Sequence, residues 1–467
     1  MTARNPEFQR QLWLNWRPSL LAWSVGLTLL VMALPLALSE PKNLPGMLSS
    51  TAMAGLWFAS ALYGSVLAGR SLAEEASQNT WDWQRLSALS PWQMAWGKLL
   101  GAVLPAWLYV LWFAVALAIV ATFWVLEPLS VPHMLGLAVL WGLGLQTWAM
   151  NSVLMSWGQH DMPVNRRRAA VLPLLLLFFI PGPFLGKVYD GIFENESEPV
   201  LWWGMDVGGL GLAYLAGGLV LALGLLGLWR MLCTRLDVRT LPWAWPLGIV
   251  VSGIFAGGTF SGGLPAFLGS TAWIALLGTV YVALQHMDQH LRAWRQVQWS
   301  VSQSRWREAL EALPLWPVSL LLGLIVSILV IFMPDAYEVE MMGALGSFSV
   351  LMYLQLLRDC LLLTGFALLA GKLKSPMVSF VIAWLILNVA APLLAYGVAG
   401  VNGATLVQPV MSGWVNSIDA SGESSTWNGV LPWVSLGIQI LVVLGWVIHV
   451  FKDRVLGFAR DNAASRI

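Results

Sequence analysis

The sequence predicts an all-α polytopic membrane protein with about twelve transmembrane helices, arranged as two tandem six-helix units with both termini cytoplasmic. Three observations carry that expectation. First, 58% of the 467 residues are hydrophobic and only 10% are charged, against about 25% charged in soluble proteins. Second, apolar runs of spanning length recur along the whole chain, and a span needs about 20 such residues to cross about 30 Å of hydrocarbon. Third, 23 of the 25 Lys and Arg fall on alternate connecting segments.

The expected spans are 19–39, 51–69, 99–125, 134–157, 169–186, 207–229, 244–262, 266–285, 317–333, 341–357, 376–398 and 431–451, and none of these windows contains Asp, Glu, Lys or Arg. The N-terminal stretch before them reads as an amphipathic helix, not a cleavable signal, because the first apolar run has spanning length and no small-residue cleavage site follows it. With the N-terminus placed inside, 23 of the 25 Lys and Arg fall on inner segments, and only Lys42 and Lys187 lie outside. The acids divide 12 to 12, so a net charge of +1 conceals an inner side of +11 and an outer side of −10. This is the positive-inside pattern. Cys233 and Cys360 fall at the inner edge and are expected as free thiols.

The connections through spans one to six are 11, 29, 8, 11 and 20 residues, and through spans seven to twelve 3, 31, 7, 18 and 32. Both series run short, long, short, medium, long. The long inner loops also share a fragment, LSALSPW at 86–92 and LEALPLW at 310–316. The chain therefore reads as units 1–235 and 236–467, repeated in parallel and joined near 230–243.

The first long inner loop is unusual for a lipid-facing segment. It contains Glu74, Glu75 and Asp82 beside Trp81, Trp83, Trp92 and Trp96. A negatively charged inner leaflet attracts basic surface helices and repels acids, so a protein partner accounts for this loop better than lipid alone. The loop resembles the segment between the second and third spans of ABC-2-type transporter permeases, the membrane subunits of ATP-binding cassette transporters. The matching positions are Glu74 and Glu75, Thr80, Leu86, Leu89-Ser90 and Gly97-Lys98, with Asn79 where glycine is usual. An amphipathic helix at 5–18 and long outer segments at 187–206 and 399–430 fit the same family.

That resemblance implies a bacterial inner-membrane transport subunit whose inner loop docks on one or more cytoplasmic ATPase subunits. The implied docking residues are Glu74, Glu75, Thr80, Asp82, Arg85, Leu86, Leu89, Pro91 and Trp92. In the second unit, whose loop carries the pattern more faintly, they are Arg305, Arg307, Glu308, Leu310, Glu311, Leu313 and Trp316. No cofactor is expected in this chain, since no G-x-x-x-x-G-K-[ST] phosphate loop occurs and ATP would be bound by the partner. Membrane lipids are the other expected partner, and no nucleic acid is expected.

Other readings rest on single features. An ion-coupled carrier needs ionisable groups at membrane depth, and the expected windows hold no carboxylate and a single histidine, His449; the amides Gln146, Asn151, Asn388 and Gln439 read as interhelical hydrogen-bonding groups. A membrane enzyme would need a constellation. His286 and His290 lie at metal-holding spacing without a further ligand, and Asp190, Glu194, Glu196 and Glu198 read as a solvated loop. Gly204 and Gly208, Gly253 and Gly257, and Gly258 and Gly262 have the spacing of close helix packing. Pro173, Pro181, Pro183 and Pro392 are expected to kink the fifth and eleventh spans. Without a charged cavity in view, an outward-moving lipid-linked or amphipathic cargo is favoured.

Overall fold

In the computed structural model, residues 5–78, 84, 89–123, 130–156, 201–236, 238, 241–260, 263–285, 290–332, 340–408 and 426–456 are described. They form two compact units, Met1–Thr240 and Leu241–Ile467. Nearly all of this backbone is helical, because an unpartnered N–H or C=O in hydrocarbon costs several kcal/mol and a helix satisfies both internally. Among the described residues, nine helices are long and apolar enough to cross a membrane, or ten if Trp306–Ala312 and Leu315–Val330, bent by 89°, make one span. The expected fifth span, 169–186, lies outside the described residues, together with Pro173, Pro181, Pro183 and the acids at 190–198.

The first unit begins with a short polar helix, α1 (Pro6–Asn15), started by Pro6 and by Asn5, whose side chain accepts from the backbone N–H of Glu7 and Phe8. An Asn cap and a Pro at the first helical position are the favoured start of a helix. Then come α2 (Pro18–Leu38), α3 (Leu44–Ser77), α4 (Pro91–Gly101), α5 (Leu104–Phe123) and α6 (Ser130–Ser156). A two-stranded hairpin, Leu201–Trp202 with Met205–Asp206, precedes α7 (Gly208–Arg235). Trp203 and Gly204 both have positive φ in its turn, as the tight hairpin turns require. Gly204 and Gly208 thus serve a turn and a helix start, with no neighbour within contact distance. Their expected role in helix packing is corrected by this.

One end of the unit is filled by Leu72, Met94, Leu99, Met150, Leu154, Leu228 and Leu232 from α3, α4, α6 and α7. Interhelical amides fix these helices at short range. Gln146 donates to the carbonyl of Ser60 at 2.8 Å, in a π-helical turn of α3 (Phe58–Tyr63), and Asn151 donates to that of Gly224 at 2.9 Å. A π-turn leaves a carbonyl without its usual helical partner, and Gln146 supplies one. By contrast α2 leaves Trp23, Leu29, Leu30 and Leu34 exposed, as a lipid-facing span does.

The second unit comprises α8 (Ala244–Gly258), α9 (Gly263–Gln285), α10 (His290–Ser302), α11 (Trp306–Ala312), α12 (Leu315–Ile331), α13 (Glu340–Leu368), a broken helix α14 (Pro376–Leu385, Ile386–Ala390 and Ala391–Val407) and α15 (Thr426–Phe451). Gly253 and Gly257 lie against Thr271 and the Phe267 backbone, so this pair does bring α8 and α9 together. Gly262 lies outside the described residues.

The tenth expected span is extended. The charge-free window 341–357 lies within α13, Glu340–Leu368, and the helix runs on past 357, so that its apolar stretch Ser349–Leu368 carries Arg358 and Asp359. The pair escapes lipid because Arg358 is fully buried and bound on several sides. The statement that the spans hold no carboxylate falls with it. In α14, a π-helical turn at Ile386–Ala390 precedes Pro392, and the sharp break comes later, at Ala399 and Gly400. Gly400 has φ +62° and ψ −146°, a combination open essentially to glycine alone. Cys233 and Cys360 are free and buried.

Candidate functional site: a buried charge cluster behind the first long loop

Two capped helix starts set up the site. Ser90 caps α4 through a reciprocal pair with Gln93, and Pro91 occupies the first position. Asn5, capping α1, donates to the carbonyl of Gln93 at 2.6 Å, which joins the two helix starts. The helices then run in close contact, because α4 presents Gly97 and Gly101 to α1. A Cβ at Gly97 would stand 2.7 Å from the Cβ of Glu7 and 2.9 Å from the Phe8 amide nitrogen, and one at Gly101 would strike Gln11. Asn15 adds a donor to the Gly101 carbonyl at 3.4 Å.

Between α1, α4 and the end of α3 lie four charges that balance one another among the described residues. Lys98 is fully buried and reaches Glu7 at 3.1 Å and Glu75 more closely still. Arg10 binds Glu7 at 2.7 Å and Glu75 at 2.5 Å. Gln11 donates to Glu7 at 3.0 Å and to Glu75 at 2.9 Å, and Gln84, inside the loop, donates to Glu75 at 3.0 Å. Buried charges persist when paired and hydrogen-bonded, and every carboxylate here has several donors.

Burial pushes the Glu7 carboxyl up, but the hydrogen bond from Arg10, the charge of Lys98 and the hydrogen bond from Gln11 outweigh it and hold the group below its ordinary value. A carboxylate lowered on folding stabilises fully above the ordinary carboxylate range, and its contribution disappears as pH falls through the lowered value. Acidification through this lowered value, below the ordinary carboxylate range, should therefore free α1 to exchange and to protease. Glu7→Gln, which keeps shape and removes the proton equilibrium, should flatten the Glu7 share of that profile, measured by amide exchange of residues 6–15 against pH.

The structure separates two neighbours that the sequence treats alike. Glu74 and Glu75 belong to the last turn of α3, which continues to Ser77 past the expected end at 69. Glu75 turns inward to the cluster, whereas Glu74 faces out and pairs with Arg70 at 2.6 Å. Leu89 packs against the Leu72, Met94 and Leu99 core, and Trp92, half exposed, stacks on Trp229 with ring centres 6.1 Å apart. Thr80, Asp82, Arg85 and Leu86 lie outside the described residues. Glu7, Arg10, Gln11 and Lys98 form the cluster without having been singled out by charge patterning. The signal available was the glycine pair four residues apart beside an amphipathic N-terminal segment.

In the second unit the corresponding segment is α11. Arg305 meets Glu308 at 3.6 Å and Arg307 meets Glu311 at 3.3 Å, on one short surface helix. Trp306 and Leu310 are exposed, and Arg305 lies over the ring of Trp299 at 5.4 Å. Pro314 breaks the helix and Leu313, in extended backbone, ends it. Trp316 is buried at the start of α12, so the residue matching Trp92 in the shared fragment turns inward here. His290 is buried, while His286 and Asp288 lie outside the described residues. Compared with protein-family models, with curated proteins and with solved structures, the chain matches none of them.

Proposed function

We propose that this chain is the membrane subunit of an ATP-driven transporter of the ABC-2 permease kind, energised by separate cytoplasmic ATPase subunits. The observation that carries the reading is the convergence of Gln84 from the loop, Arg10 and Gln11 from α1 and Lys98 from α4 on the one carboxylate of Glu75. A force applied to the loop passes through Glu75 to the entry of the following spans and to the surface helix. A partner that changes shape on hydrolysing ATP needs such a connection to do work on a membrane segment. Glu74, and the exposed Trp306, Arg307 and Leu310 of α11, supply surface for docking, where opposite charges set orientation and aromatic and aliphatic anchors supply contact. Orientation with these loops in the cytoplasm of a bacterial cell, and an exported lipid-like or amphipathic cargo, belong to the same proposal.

The test is charge reversal and polar substitution at the exposed positions, Glu74→Lys and Leu310→Asp, in a chain purified with its partners. Each should reduce recovery of an ATPase subunit several-fold without changing the thermal unfolding of the isolated chain. Unchanged recovery in both variants would count against docking through these segments. A second reading, an ion-coupled carrier, draws on the buried Arg358–Asp359 pair inside an apolar helix, since an ionisable pair at membrane depth is a functional-site hypothesis in its own right.

A further inference from the structure

The second unit contains a polar chain that links a buried arginine to a stretch of backbone folded back on itself. After the break at Ala399 and Gly400 the segment to Val407 does not continue the line of α14. Gly403 lies directly against the carbonyl of Ala395, eight positions earlier, a contact that a straight helix cannot make because those positions would be about 12 Å apart along its axis. The returning segment is too short to satisfy its own terminal carbonyls, which need external partners. Those partners come from α15. Gln439 donates to the carbonyl of Val407 at 3.0 Å, and Ser435 donates to that of Leu406.

Gln439 is held in turn by Arg358, which donates to its side-chain oxygen. Arg358 also donates to Asp359 at 2.7 and 2.9 Å and to Asn388 at 2.6 Å, in the π-helical turn of α14. Asn388 spends its own amide on the carbonyl of Trp384 at 3.1 Å, and Asp359 accepts from the Trp384 indole at 3.0 Å. One guanidinium thus ties α13, α14 and α15 together. Non-helical backbone at membrane depth is tolerated only when protein or a polar cavity satisfies it, and a fully buried charge on an apolar span is expensive unless used.

We infer that Arg358 is a positioning residue that latches the returning segment Val401–Gln408 through Gln439, and that this segment is a movable element of the second unit once the latch is released. The amide of Gln439 is the joint: its oxygen takes the charge-assisted bond and its nitrogen holds the segment. Loss of either end should have the same local consequence.

The experiment is amide hydrogen exchange on the full-length chain in detergent micelles, comparing wild type with Arg358→Met, Gln439→Leu and the double variant. Exchange of residues 401–408 should rise at least tenfold in each single variant, and the double variant should exchange no faster than either, since coupled groups are non-additive. Residues 263–285 of α9 should stay at wild-type rates. Gln439→Leu keeps the Arg358–Asp359 pair and so reports even where Arg358→Met fails to fold. Wild-type exchange at 401–408 in Gln439→Leu, independent additive effects, or equal acceleration in α9 would each overturn the inference.

Discussion

Lys98→Met should collapse the junction of α1, α3 and α4 in the first unit, lowering its stability by about 3–5 kcal/mol, the usual range when one member of a buried ion group is removed. Lys98 is fully buried and touches both Glu7 and Glu75. Its loss removes a fully buried cation from between two carboxylates that are themselves almost wholly buried. Methionine fills nearly the same volume, so cavity formation does not account for the effect. Adding Glu75→Gln to Lys98→Met should restore most of the loss, because the remaining Glu7–Arg10 pair is balanced. Thermal unfolding followed by size-exclusion chromatography checks both variants. If Lys98→Met unfolds like wild type, the four-charge cluster does not hold this junction together.

Gly97→Leu acts on the same junction through shape. A side chain at 97 meets the backbone nitrogen of Phe8 as well as Glu7, so rotamer changes cannot make room and α1 must move away. Overpacking of a tight site costs about 1–3 kcal/mol, and here the strain is relieved by releasing one helix. The expected result is an intact bundle with a detached N-terminus. Limited proteolysis should cut within residues 5–17 many times faster than in wild type, while the spans keep their protection. Gly101→Leu, which strikes Gln11, should reproduce the effect. Cleavage at the wild-type rate in both would show that α1 is held elsewhere.

These two residues also show what the sequence discloses and where it stops. Apolar length predicts the spans well where one face meets lipid, as in α2. Charge avoidance ends the tenth span too early, at 357, because it assumes that an arginine in a helix must face lipid or water. Arg358 does neither: the adjacent Asp359 and the distant Asn388 and Gln439 satisfy it from three helices, and the two distant partners leave no local pattern. Glu74 and Glu75 look interchangeable as a doublet, yet adjacent helical positions point about 100° apart, and only packing decides which one enters the protein. The Gly97–Gly101 spacing was readable as a close-approach site. Its partner, the N-terminal helix, was readable only as amphipathic. The break of α14 was expected at Pro392, but a π-turn absorbs that proline and Gly400, the residue able to take positive φ, makes the turn.

The most direct measurement is purification of the tagged chain from its native membranes in mild detergent, with mass spectrometry of what remains bound and an assay of ATP hydrolysis. A transport subunit worked by separate ATPases should bring down a phosphate-loop ATPase in near-stoichiometric amount, with hydrolysis that falls when Glu74→Lys and Leu310→Asp are combined. A monodisperse chain that carries no ATPase and no ATP hydrolysis would contradict the proposal and turn attention to the Arg358–Asp359 pair as the centre of an ion-coupled carrier.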